Sequence, residues 1–262
     1  MKKYKVLNNN RISPFRSFEY PIGTELHCED FDEDVSEDCS RGFYATDIEG
    51  LPYSWNINRT AWECEVWGKS VVIDQYKQRY ENIKLIRQLN RKEIISLAQA
   101  EESRLGYILS EVLFPVNPLE IEPKDIDYKS LLVKWDSVWD SVMDSVWASV
   151  WASVRDSVWV SVGASVRDSV RASVRDSVRD SVMVSVGASV WVSVMAYISS
   201  LFPNITKWKY IDHPENVNPF QSAIDLWRAG YVPSFDGKRW RLHTGKNAKV
   251  IYELSKAGEP TG

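Results

Sequence analysis

From Trp135 to Val194 the chain is built of fifteen consecutive four-residue units, and each ends in Ser-Val. The first position holds Trp six times, Arg five, Met twice and Gly twice; the second holds Asp seven times, Ala five and Val three. Codons for Trp, Arg and Gly differ in the first base, and those for Asp, Ala and Val in the second. Tandem duplication with single-base drift yields such sets. The same drift has left Ser-Val untouched, so the array is either young or needs that pair structurally in each copy.

A four-residue period restricts what this segment can become. In an α-helix four residues advance about 400°, so each unit turns about 40° past the last. Valine then spirals round the helix and no fixed apolar stripe exists, so neighbours must cover it on changing sides. A flat strand would bury charge on either face. A β-solenoid with four-residue sides avoids that if valine points inward and serine serves the corners. Three features favour the helix. No proline occurs between Pro123 and Pro203, and the flanking sequences read as helical. Asp168 with Arg171, and Asp176 with Arg179, are spaced as i,i+3 charge pairs. Gly163 and Gly187 are places for a long helix to bend.

The rest of the chain implies an α+β fold, with a β-solenoid repeat as the alternative for the middle. Residues 1–90 read as a β-rich domain, with short aromatic and β-branched runs at KYKVL, GFYAT, WECEVW and SVVID; NIKLIRQL (82–89) suits a last strand or a helix start. Residues 91–124 read as a helix capped by Asn90 and stopped by Pro115, then a Pro-rich linker. Residues 125–202 hold the repeat. Residues 203–262 read as a cap: a helix begun at Asn218-Pro219, then a β-meander turning at Asp236-Gly237 and Thr244-Gly245.

Composition excludes several functions. At 262 residues and net charge −4, no bulk attraction to nucleic acid or anionic lipid is implied. The segment 167–182 carries four arginines, but its aspartates would repel phosphates, so no nucleic-acid partner is expected. Residues 181–206 carry no charge, yet serines, a glycine and Pro203 favour a buried helix over a membrane span. Three cysteines without CxxC spacing and no visible signal peptide suggest a reducing, cytoplasmic setting. Asp30, Asp32 and Asp34 form a D-x-D-x-D run without the glycine and glutamate of a calcium loop, and the three histidines are scattered, so no metal is expected.

Three segments, Tyr20-Pro21-Ile22-Gly23, Cys39-Ser40-Arg41-Gly42-Phe43-Tyr44-Ala45 and Glu65-Val66-Trp67-Gly68, resemble an uncharacterised N-terminal domain of phage and prophage proteins, with Tyr44 where that family has histidine. The tetrapeptide array followed by AYISSLFP and LWRAGYVPSFDGKRWRLHTG resembles C-terminal halves of phage-encoded proteins of unknown function. These resemblances carry no assigned activity. The expectation is a non-catalytic interaction or scaffold protein of phage type that needs no cofactor, its β-rich head recognising a protein partner and its Trp-rich repeat serving as spacer or self-association surface. The interaction residues would be Trp135, Trp139, Trp147, Trp151, Trp159 and Trp191 of the repeat. The N-terminal order also resembles small ADP-ribosyltransferases of the rifampin-modifying kind. That resemblance implies NAD as cofactor, with Tyr44, Thr46 and Glu65 catalytic: an aromatic shelf for nicotinamide and a carboxylate for an oxocarbenium-like centre.

Overall fold

The computed structural model describes residues 1–262 except 16, 38, 56–57, 75, 154–182, 209 and 256–262. The chain divides into two units, Met1–Leu113 and Phe114–Gly262. The fold is α+β, strand-rich at the N-terminus and closed by a C-terminal antiparallel sheet.

In the first unit the alternating run KKYKVLN forms β1 (Lys2–Asn8), and the chain turns at Asn8. The two runs WECEVW and SVVID join into one strand, β4 (Arg59–Asp74). Gly68 carries it through a bulge between Trp67 and Ser70. Its φ is +82°, and a Cβ there would meet Glu81 Oε2 at 2.3 Å. Residues 82–88 of the segment 82–89 prove to be strand, within β5 (Lys77–Gln88), which pairs antiparallel with β4. The far edge of β5 takes β2 (Glu25–His27) and β3 (Phe43–Ala45). Thr46 then exchanges backbone hydrogen bonds of 2.8 and 2.9 Å with Tyr4, so the strands run in a ring from β1 through β4, β5 and β3 back to β1. Leu7, Trp62, Cys64, Val66, Tyr80 and Ile83 fill its interior.

Helices follow at Leu51–Ser54 (α1), Arg91–Leu105 (α2) and Leu109–Leu113 (α3). A capping box starts α2: Asn90 Oδ1 accepts from the Glu93 N–H at 3.0 Å, and the Glu93 carboxylate accepts from the Asn90 N–H at 2.8 Å. The helix expected to run to Pro115 is instead broken at Gly106.

The second unit contains α4 (Tyr128–Ser153), α5 (Met183–Ser199), α6 (Gln221–Arg228) and the meander β6 (Tyr231–Phe235), β7 (Arg239–Thr244) and β8 (Lys249–Ser255). The described part of the tetrad array is therefore α-helical. The remainder, with Trp159, Gly163 and the arginine-rich stretch 167–182, lies outside the described residues.

The 40° drift is handled by changing which repeat position is buried. Leu132, Trp135, Trp139, Val142 and Val150 are buried on α4, while Ser137, Asp140 and Ser141 are exposed. On α5 the segment Val192–Ser199 is buried throughout, against α4, α6 and β6. Serine tolerates both settings because it bonds within its own helix. Exposed Ser137 and Ser141 donate to the carbonyls of Lys134 and Val138 at 2.8 and 2.7 Å. Buried Ser193 donates to Ser189 O at 3.0 Å. No described helix is long and apolar enough to cross a membrane.

The Pro-rich stretch after Pro115 belongs to the second unit and is tied into it by three aromatic side chains. The Trp227 indole donates to Val116 O at 2.9 Å, Tyr197 Oη accepts from the Val116 N–H at 3.0 Å, and Tyr231 Oη donates to Lys124 O at 2.8 Å.

Candidate functional site

Period-two alternation puts Lys3, Lys5 and Leu7 on one face of β1. Leu7 belongs to the interior, and Lys3 and Lys5 stand opposite Cys64 and Trp62, which also belong to it. Both lysines therefore face the inside of the strand ring, and they are only 6% and 7% exposed. Burying an ammonium is costly unless it is paired. Lys3 meets that requirement with both oxygens of Asp47, at 2.8 and 2.7 Å. Lys5 does not: its partners are Tyr44 O at 2.5 Å and the face of the Tyr20 ring at 4.5 Å, and no described carboxylate pairs with it.

Lys5 lies on the wall shared by two adjoining cavities of about 130 and 180 Å³. Phe15, Cys39, Tyr44 and Lys77 belong to the same shared wall. The smaller lobe continues past Thr46, Tyr53 and Tyr76, the larger past Phe18, Tyr20 and Arg41. Lys77 Nζ sits 4.5 Å from the Tyr44 ring centroid and 3.9 Å from Cys39 Sγ. The described residues lining both lobes include no carboxylate and no imidazole. In a chain of net charge −4 this is a cationic, aromatic-walled cleft.

Arg79, whose guanidinium carbon lies 5.6 Å from the Tyr44 ring centroid, holds the acidic loop. It is fully buried and donates to three carbonyls of the acidic loop: Asp32 O at 2.8 Å, Asp34 O at 2.7 Å and Glu37 O at 3.1 Å. Of the D-x-D-x-D carboxylates, Asp30 pairs with Arg41 at 3.4 Å, and Asp32 and Asp34 are spent on turns. Asp32 accepts from the Asp34 N–H at 2.9 Å and from the Ser40 hydroxyl, and Asp34 accepts from the Ser36 N–H at 2.8 Å. The hydroxyl of Ser40, with the Asp34 amide, holds the Asp32 carboxyl below its ordinary range. No group of His, Cys, Asp or Glu among the described residues is arranged to hold a metal.

Of the three residues implied by the transferase resemblance, Tyr44 and Thr46 line the cleft, flanking Ala45, and Glu65 does not. Glu65 sits between core residues Cys64 and Val66, so its side chain is on the outer face of β4, and it is exposed. Along β5, Glu65 stands opposite Lys84 and Tyr44 opposite Arg79, a separation of about 16 Å at the strand rise. Burial raises the Tyr44 phenol above its ordinary range, although Arg79 and Lys77 oppose this.

Of the six repeat tryptophans expected to form an interaction surface, Trp135 and Trp139 are 0% and 3% exposed. They pack edge-on with each other at 5.7 Å, and Trp139 packs on Trp240 at 4.9 Å. They serve the unit's own core, because the first two copies of the array are where the drifting buried face passes through the tryptophan position. Trp191 is half-buried; Trp147, Trp151 and Trp159 have no described side chains.

Two other places hold reactive or polar groups. Ser234 Oγ donates to His243 Nε2 at 2.7 Å, and His243 Nδ1 donates to Ala248 O at 2.9 Å. This Ser-His pair is sealed, both residues being 0% exposed. A cavity of about 340 Å³ lies beside Ser199, Asn218, Gln221 and Arg228; there Arg228 donates to Ser200 Oγ at 3.1 Å and lies over the Tyr197 ring. All three cysteines are free, and burial pushes the Cys64 thiol up to about 12.

Reasoning from the sequence missed Lys5. In KKYKVL the lysines alternate with Tyr4 and Val6, a pattern that places lysine in solvent. Both faces of β1 are covered here, and only the register with β4 reveals which one the lysines take.

Comparison with family models, with curated proteins and with solved structures finds no match.

Proposed function

We propose that this is a non-catalytic interaction protein, of the phage type its motifs resemble. The first unit captures an anionic group in the Lys5 cleft, and the repeat-containing second unit serves as scaffold. The observation that carries this reading is Lys5, a buried ammonium facing a cavity with no described anion beside it, two residues from a lysine that has one. An incoming anion would supply the missing partner in a site whose aromatic walls weaken solvent screening. The cleft's described residues contain no acid–base pair, and the one carboxylate of the transferase resemblance is on another face, which supports binding over turnover.

The test uses the full chain. Inorganic pyrophosphate, at constant ionic strength, should raise the thermal midpoint of the wild type and leave that of Lys5→Met unchanged. A wild type indifferent to pyrophosphate and to other anions would overturn the reading. So would NAD hydrolysis abolished by Glu65→Gln.

A further inference from the structure

The two-lobed cleft also indicates the ligand's chemistry. We infer that it takes a nucleoside phosphate, with the phosphate against the shared wall of Lys5 and Lys77 and the base against the aromatic residues of one lobe. This deepens the anion-binding reading above and rests on it.

Three observations combine. The cations are concentrated where the lobes meet: Lys5 and Lys77 line both, and Arg41 lines the larger. A phosphate there would touch a buried ammonium that already has a carbonyl holding it in place, so little side-chain freedom is lost on binding. Next, three of the cleft's aromatic residues are exposed, Phe15 at 64%, Tyr53 at 47% and Phe18 at 42%, while Tyr4 and Tyr20 beside them are buried. Tyr53 and Tyr76, both lining the smaller lobe, are stacked with centroids 6.2 Å apart and planes 22° apart. Such faces accept a planar base by stacking, and every base has one. Last, lobes of about 130 and 180 Å³ suit a ring and a sugar, whereas an extended peptide needs an open groove or a free sheet edge. A bare anion would leave both aromatic lobes unused, and a neutral aromatic would leave Lys5 unpaired.

The experiment is calorimetric titration of the full chain with ADP, adenosine and inorganic pyrophosphate. ADP should bind at least roughly tenfold more tightly than either fragment alone. Lys5→Met should weaken ADP by about tenfold or more, and Phe15→Ala should weaken ADP while leaving pyrophosphate unchanged. Phe15 is largely exposed, so that variant tests the proposal even if the lysine variant does not fold. Pyrophosphate binding as tightly as ADP would overturn the nucleotide assignment and leave the anion site standing. Binding of neither would overturn both. ADP affinity indifferent to Phe15→Ala and to Lys77→Met would place the nucleotide elsewhere and overturn the assignment.

Discussion

The Trp240 indole Nε1 donates to Asp136 Oδ1 at 2.7 Å, joining the first aspartate of the tetrad array to the middle strand of the C-terminal meander. Trp240 is fully buried, so this carboxylate is the polar partner of an indole that has no access to water. Asp140, one copy later, is exposed. Asp136→Ala should therefore cost about 1–3 kcal/mol, the penalty for orphaning a buried donor. Asp140→Ala should cost less than about 1 kcal/mol. Urea midpoints at unchanged slope measure both. Equal costs would mean that the repeat aspartates are interchangeable.

The valines of neighbouring copies should differ in the same way. Val142 is 1% exposed, whereas Val138 is only partly buried. Val142→Ala removes two buried methyl groups and should cost about 2 kcal/mol, and Val138→Ala less than half of that. The same measurement would show identical losses if every copy sat in the same environment, as a solenoid requires.

Gly42 makes room for Arg79. Its φ is +139°, and a Cβ there would lie 2.7 Å from Arg79 Cγ. Gly42→Ala should cost more than about 2 kcal/mol, since both the backbone and a fully buried side chain must shift. Arg79→Met should release the three carbonyls that Arg79 binds and make residues 29–37 sensitive to a glutamate-specific protease. A loop still protected in Arg79→Met would show that Arg79 does not hold it.

Burial, helped by the nearby Arg241 charge, holds the His243 imidazole below its ordinary range, although its hydrogen bond to Ala248 O opposes this. The unfolded chain binds a proton near pH 6.5 and the folded chain does not. Stability from this residue is thus complete above about pH 6.5 and declines as the pH falls below it. Denaturation of the full chain, followed by tryptophan fluorescence, should show that decline between about pH 6.5 and 5, and His243→Asn should flatten it. A variant with the wild-type slope would assign the decline to other groups.

Much of the architecture can be read along the chain, because it rests on local rules. Asn90 with Glu93 sets the start of α2, Asp236-Gly237 sets the turn between β6 and β7, and the proline-free repeat already leans toward helix. The overshoot of a four-residue period past a helical turn is likewise arithmetic, and it demands covering neighbours on changing sides. Local rules stop where register begins. Which face of β1 holds Lys3 and Lys5 depends on pairing with a strand more than fifty residues away. That pairing turns two apparently solvated lysines into buried ones, one neutralised by Asp47 and one left facing a cavity. Tertiary structure also separated Glu65 from Tyr44, and turned Trp135 and Trp139 from a surface into a core. The physical reason is common to these cases: burial and charge pairing are properties of what lies across the fold, and a sequence states only what lies beside each residue along the chain.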